Sequence, residues 1–225
     1  MEENYLEKIK NEILSGDVQN NTLLSLLPRK TLENIEFSLR ETEKNNIEGD
    51  FIECGVWRGG ACIFAREVLK SLNSKRKIYV ADSFEGLPPP NPEKYPVDYG
   101  DTHYQINDLK VSLEDVKKNF ERFRKLDDDV VFLKGWFKDT LPNCNIKKIS
   151  VLRLDGDMYE STIDSLENLY PKLSVGGYCI IDDYGHKGAK AAVDDYREKN
   201  NIDEPLNLID STPGAYPSVY WQKNK

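Results

Sequence analysis

From Gly49 onward the chain repeats one grammar: a short apolar run closed by an acid or a glycine, then a stretch of helical periodicity. FIECGVW precedes GACIFAREVLKSL, and KIYVADS precedes, after a long interval, SLEDVKKNFERF. VVFLKGW and ISVLRLD lead to STIDSLENLYPKL, and GYCIIDDY leads to AKAAVDDYREKNN. The apolar cores of these runs are continuous, as in strands covered on both faces. Strands that alternate with helices demand right-handed crossovers and a mostly parallel sheet, an α/β fold. The tail LNLIDSTPGAYPSVYWQK breaks the grammar, with two strand-like pieces around Pro213-Gly214. It predicts a terminal hairpin that adds antiparallel strands at one edge. Open sheets of this kind bind ligands outside the carboxyl ends of their strands. The residues that close each run are therefore the first candidates for chemistry.

A chain of 225 residues suffices for a single structural domain with a full core. In residues 1–48, Tyr5, Leu6, Ile9, Ile13 and Leu14 recur near helical spacing, as do Leu32, Ile35 and Leu39, with Pro28 between the sets. Two or three helices are expected there, preceding the sheet in residues 49–225 and covering part of its active edge. The interval Glu85–Lys110 holds five prolines and two glycines and resists both helix and central strand. Following a strand end on the ligand side, it reads as a lid, with a passive insertion as the alternative. Tyr99, His103 and Tyr104 are its candidates for acceptor contact.

The net charge of −8 and the lack of a Lys/Arg-rich block exclude a nucleic-acid backbone as partner. An acidic chain of this kind suits a bound cation. No apolar run approaches the roughly 20 residues that span a bilayer, so no membrane partner is expected. The N-terminus MEENYLEKIK is unlike a signal peptide, and the four cysteines form no CxxC pair. Reduced thiols and a cytoplasmic location are expected. Neither His103 nor His186 has a second His or Cys at ligand spacing, so no zinc site is expected.

Four strand ends carry the chemistry. In ECGVWRGG, Glu53 stands where a dinucleotide fingerprint has its first glycine, followed by Gly55, Gly59 and Gly60. An acid there disfavours a pyrophosphate and suits an ammonium group, pointing to S-adenosylmethionine (SAM). Asp82, closing VAD, can accept both ribose hydroxyls of an adenosine. In KGWF, Gly135 gives backbone access, and Trp136 or Phe137 either lies on an adenine face or packs in the core. Asp155 and Asp157 follow one strand, and Asp182 and Asp183 end the next. As neighbours at one rim they either cap helices or, brought together without a base, repel one another until a divalent ion relieves them. Oxygen-only donors favour Mg²⁺, Ca²⁺ or Mn²⁺.

The ordered motifs ECGVWRGGACIFAR, VADSFEGLPPP, GWFKDTLP, VLRLDGDMYEST, LYPKLSVGGY and IIDDYG resemble the TylF/macrocin O-methyltransferase family, from about Gly49 to the C-terminus. That resemblance implies a class I SAM-dependent methyltransferase fold, Rossmann-like, with a seven-stranded mostly parallel sheet and an antiparallel terminal strand. It implies SAM- and Mg²⁺-dependent O-methylation of a sugar hydroxyl in antibiotic or surface-glycan biosynthesis. By motif position, Glu53, Gly55, Val56, Trp57, Arg58 and Gly59 would surround the methionine part of SAM. Asp82 and Ser83 would hold the ribose, and Gly135, Trp136 and Phe137 would flank the adenine. Asp155, Asp182 and Asp183 would ligate Mg²⁺, with Asp157 as general base. The acceptor would be a small sugar-containing molecule, and a homo-oligomer is plausible by resemblance.

Two other enzymes share parts of this pattern. A methyltransferase acting on a catechol-like diol would use the same acids. A nucleotide-sugar oxidoreductase or epimerase would need the GxGxxG that is missing here.

Overall fold

Each apolar run becomes a strand, and each strand stops where its punctuation stands. The computed structural model describes residues 2–210 and 217–225. Helices α1 (Glu2–Leu14) and α2 (Arg29–Lys44) come first, followed by β1 (Asp50–Cys54), α3 (Gly60–Ser71) and β2 (Ile78–Asp82). After α4 (Leu113–Arg122) come β3 (Val130–Lys134), the single turn α5 (Phe137–Thr140), β4 (Ile149–Leu154), α6 (Tyr159–Leu169) and β5 (Leu173–Ile181). Helix α7 (Lys187–Lys199) and strands β6 (Asn207–Asp210) and β7 (Ser218–Gln222) complete the chain.

The seven strands lie in the order β3-β2-β1-β4-β5-β7-β6, parallel from β3 to β5. Strand β7 pairs antiparallel with both β5 and β6. The expected hairpin is therefore refined: β7 inserts beside β5, and β6 takes the outer edge. Its turn, with Pro213-Gly214, lies outside the described residues. Alternate strand residues feed two cores. Phe51, Val80, Val151 and Ile180 join α1–α4 on one face, and Ile52, Ala81, Leu152 and Ile181 join α5–α7 on the other. Strand order reverses between β1 and β4, which makes the rim beside them the ligand-binding crevice of such sheets.

Helix α3 is buried from Gly60 to Leu69, with α1 and α2 stacked on its outer side. Its buried charges are paired: Arg66 with Asp127 (3.0 Å) and Asp129 (2.6 Å), Glu67 with Lys125 (3.0 Å). The N-terminal helices thus back α3. What reaches the ligand edge is their connector, whose Leu24 carbonyl accepts the Gly60 N–H at 3.1 Å. A Cβ on Gly60 would collide with that carbonyl, so the connector's approach requires glycine.

The Pro-rich interval is built from three 3-10 turns, at Pro96–Asp98, His103–Gln105 and Asn107–Leu109. Its buried Asp98 accepts the N–H of Tyr159 (2.9 Å) and of Glu160 (3.2 Å). A loop residue therefore caps α6, whose own N-cap position, Met158, offers no side-chain bond. Asp98→Ala should cost about 1–2 kcal/mol of stability. Urea unfolding would show this as a lower midpoint at unchanged slope, and proteolysis within 85–110 should quicken.

Candidate active site

Strands β1, β2, β4 and β5 end side by side, and the loops beyond them enclose a cavity of about 660 Å³, within the range of small-molecule sites. The cofactor-loop candidates Glu53, Gly55, Val56 and Trp57 line it, as do Asp82, Ser83, Gly135, Trp136 and Phe137. Gly55, at φ +85°, brings β1 against the Asp155 carbonyl, where any Cβ would collide. Asp82 accepts the N–H of Val56 (2.8 Å) and of Phe84 (2.7 Å), which locks the cofactor loop to β2. A carboxylate has about four lone-pair positions, and with the Trp57 N–H also donating, capacity remains for a ribose hydroxyl. Ser83 Oγ donates to the Gly86 carbonyl at 2.6 Å and shapes the exit into the Pro-rich segment.

Arg58 is placed differently from the motif reading. Its guanidinium donates to the carbonyls of Leu23 (2.9 Å) and Val18 (2.8 Å) and to Asn21 Oδ1 (2.6 Å), and it stacks on Trp57. Trp57 Nε1 in turn donates to the Asp108 carbonyl at 2.7 Å. Adjacent residues at the β1 tip thus hold both coverings of the cavity. Gly59, in the left-handed region, caps α3 from outside the cavity lining.

The acid rim contains the base that the sequence reading left out. Arg153, 0% exposed within β4, pairs with Glu53, with Asp155 at 3.0 Å and with Asp182 at 2.9 Å. Glu53, 2% exposed, also accepts the Cys62 thiol at 2.7 Å. Its charge is matched by Arg153, an internal partner that the reading of Glu53 as suited to an ammonium group did not include. The signal was visible: an arginine in an apolar strand, on the same face as the acid two residues on.

Beyond Arg153 the carboxylates crowd. Oxygens of Asp155, Asp157 and Asp183 lie within 4.8 Å of one another. Burial, reinforced by the neighbouring acids, holds Asp155 and Asp183 well above the usual carboxylate range and pushes Asp157 up to about 7. Asp182, expected in this group, turns Oδ1 to Arg153 and to Ser218 Oγ (3.2 Å). Helix capping does not explain these acids, because Asp98 caps α6 and α7 has no side-chain cap. The donor set is all oxygen and self-repelling, which fits a hard divalent cation.

Among the described residues, the connector contributes Leu24–Pro28 to the cavity wall, and the Pro-rich segment contributes His103, Ile106 and Leu109. Tyr99 and Tyr104 are outside the lining. The histidines, far apart in sequence, meet in space: their ring centroids are 5.4 Å apart, and His186 Nδ1 is 3.6 Å from Asp157 Oδ1. Their spacing along the chain does not show this meeting, which the fold alone creates.

The sheet and its rim define a class I SAM-dependent O-methyltransferase. Comparison with known proteins gives the family: the model for macrocin-O-methyltransferase (TylF) matches residues 8–223, and the chain belongs to that family. It is 44% identical over 224 residues to demethyldecarbamoylnovobiocin O-methyltransferase of Streptomyces niveus, covering 98% of this chain and 82% of the relative. It is 40% identical over 214 residues to mycinamicin III 3''-O-methyltransferase of Micromonospora griseorubida, covering 93% and 82%. The solved O-methyltransferase NovP superposes with a TM-score of 0.92 at 39% identity, covering all of both chains. The oxidoreductase alternative falls with these findings. No helix among the described residues is long and apolar enough to cross a membrane.

Proposed function

We propose that this enzyme methylates a hydroxyl of a sugar-bearing small molecule with the help of Mg²⁺. The observation that carries the reading is the meeting of Asp155, Asp157 and Asp183 inside the cofactor cavity. It is supported by relatives named for the novobiocin, mycinamicin and rhamnosyl-tetracenomycin methylations.

Asp155 and Asp183 would hold the cation, with Asp182 joining through Oδ2, since its described bonds fall on Oδ1. When bound, Mg²⁺ supplies Lewis-acid polarisation of substrate hydroxyls and neutralises the acid group. SAM supplies the methyl on a cationic sulfur. Asp157 accepts the proton of the reacting hydroxyl, a sugar alcohol being a poor nucleophile at neutral pH. Asp82 would hold the cofactor ribose, and Trp136 and Phe137 would flank the adenine. The connector and the segment 85–110 form the acceptor side and act as a lid that excludes water. Positioning of the hydroxyl against the methyl supplies much of the acceleration.

The test is a screen of glycosides, nucleotide sugars and catechols with SAM and Mg²⁺, read by mass spectrometry as the gain of one methyl. Sugar acceptors should react, EDTA should abolish transfer, and Mg²⁺ should restore it. Exclusive turnover of catechols, or full activity in EDTA, would overturn the respective part of the reading.

A further inference from the structure

The chain contains two histidines, and the fold stacks them at the rim of the active site. One nitrogen of His103, one of His186 and a carboxylate oxygen of Asp157 all lie within 4.8 Å of one another. His103 Nδ1 is held by both Asp101 oxygens, at 3.0 and 3.1 Å, and the His103 N–H donates to the same carboxylate at 2.8 Å. This is the support characteristic of a metal-ligating imidazole. The carboxylate accepts a hydrogen bond from Nδ1–H, which fixes the tautomer and leaves the Nε2 lone pair for a ligand. His186 is fixed too, because its N–H donates to the Asp183 carbonyl at 2.8 Å and it opens α7.

We infer that His103, His186 and Asp157 form a second cation site, for a borderline transition-metal ion such as Zn²⁺, Co²⁺ or Ni²⁺. The donors separate it from the acid group. Two imidazoles and a carboxylate suit these ions, whereas three carboxylates suit Mg²⁺. Three protein ligands leave a fourth position for water. Asp157 belongs to both groups, so an ion held by the histidines occupies the carboxylate that would take the acceptor's proton. It also joins segment 85–110, through His103, to the ends of β4 and β5. Such an ion inhibits the enzyme. The binding site stands on this geometry alone, and only the inhibition rests on the proposed role of Asp157.

The experiment titrates the full-length protein with Co²⁺ in excess Mg²⁺, following the visible absorption of imidazole-bound cobalt. Cobalt should bind beside magnesium and be displaced by Zn²⁺. His103→Gln and His186→Gln should each weaken it roughly tenfold or more, and Asp101→Asn by about tenfold. Zinc inhibition of methyl transfer should weaken in step in His103→Gln. Unchanged cobalt affinity in both histidine variants, or one-for-one competition with Mg²⁺, would place the ion in the acid group and overturn the inference. Histidine-dependent cobalt binding without zinc inhibition would uphold the site and remove Asp157 as base.

Discussion

Asp157→Asn should lower kcat by about 10²–10⁴-fold, the usual contribution of a positioned general base. The amide keeps the shape of the carboxylate but cannot accept the proton. Saturating SAM separates this loss from cofactor binding, and calorimetry with S-adenosylhomocysteine should find the variant's affinity close to wild type. The pH dependence follows from the same crowding. The carboxylate works only when ionised, so the rate must fall as pH drops through its pKa. Burial and Asp155 push that pKa up to about 7 without a cation. A divalent ion among these acids favours the charged form and draws it down, so the acid limb of kcat in Mg²⁺ should lie below 7. A near-normal rate in Asp157→Asn would remove the residue from the mechanism.

Arg153→Ala should destabilise the fold by about 3–5 kcal/mol, the cost of removing one partner of a buried ionic group. Three carboxylates share this guanidinium, from Glu53 on β1, Asp155 at the end of β4 and Asp182 at the end of β5. Its loss leaves Glu53 fully buried and uncompensated while the rim acids repel at short range. Denaturant unfolding with and without Mg²⁺ measures this. The midpoint should fall sharply without the ion and recover partly with it, because a cation at the rim replaces some of the missing charge. Arg153→Lys should recover less than its charge suggests, since a single ammonium lacks the planar fork that reaches three acids. A midpoint unchanged in Arg153→Ala would mean that the carboxylates are protonated in the native protein.

What was legible in advance divides along physical lines. Strand ends were readable because continuous apolar runs stop abruptly, and the residues that stop them (Glu53, Asp82, Asp155, Asp182) stand at the rim the sheet creates. Arg153 was hidden by its setting, a charge inside an apolar strand whose partners come from two other strands. Asp98 and the histidines were hidden for another reason. Their roles depend on how a Pro-rich segment folds back, and no periodicity records that. Arg58 is a different case: Trp57 before it lines the cavity, while its own side chain faces the connector.

The grip of Arg58 on the connector has an evolutionary consequence. Two of its three partners there are main-chain carbonyls, of Val18 and Leu23. Every residue type presents that group, so the hold survives nearly any change of side chain along the stretch. Residues 26–28, just beyond the buried Leu24 and Ser25, can therefore be rewritten one at a time to admit a new acceptor while the anchor keeps its grip. Substrate range in such a scaffold can drift without an intermediate that has lost its wall.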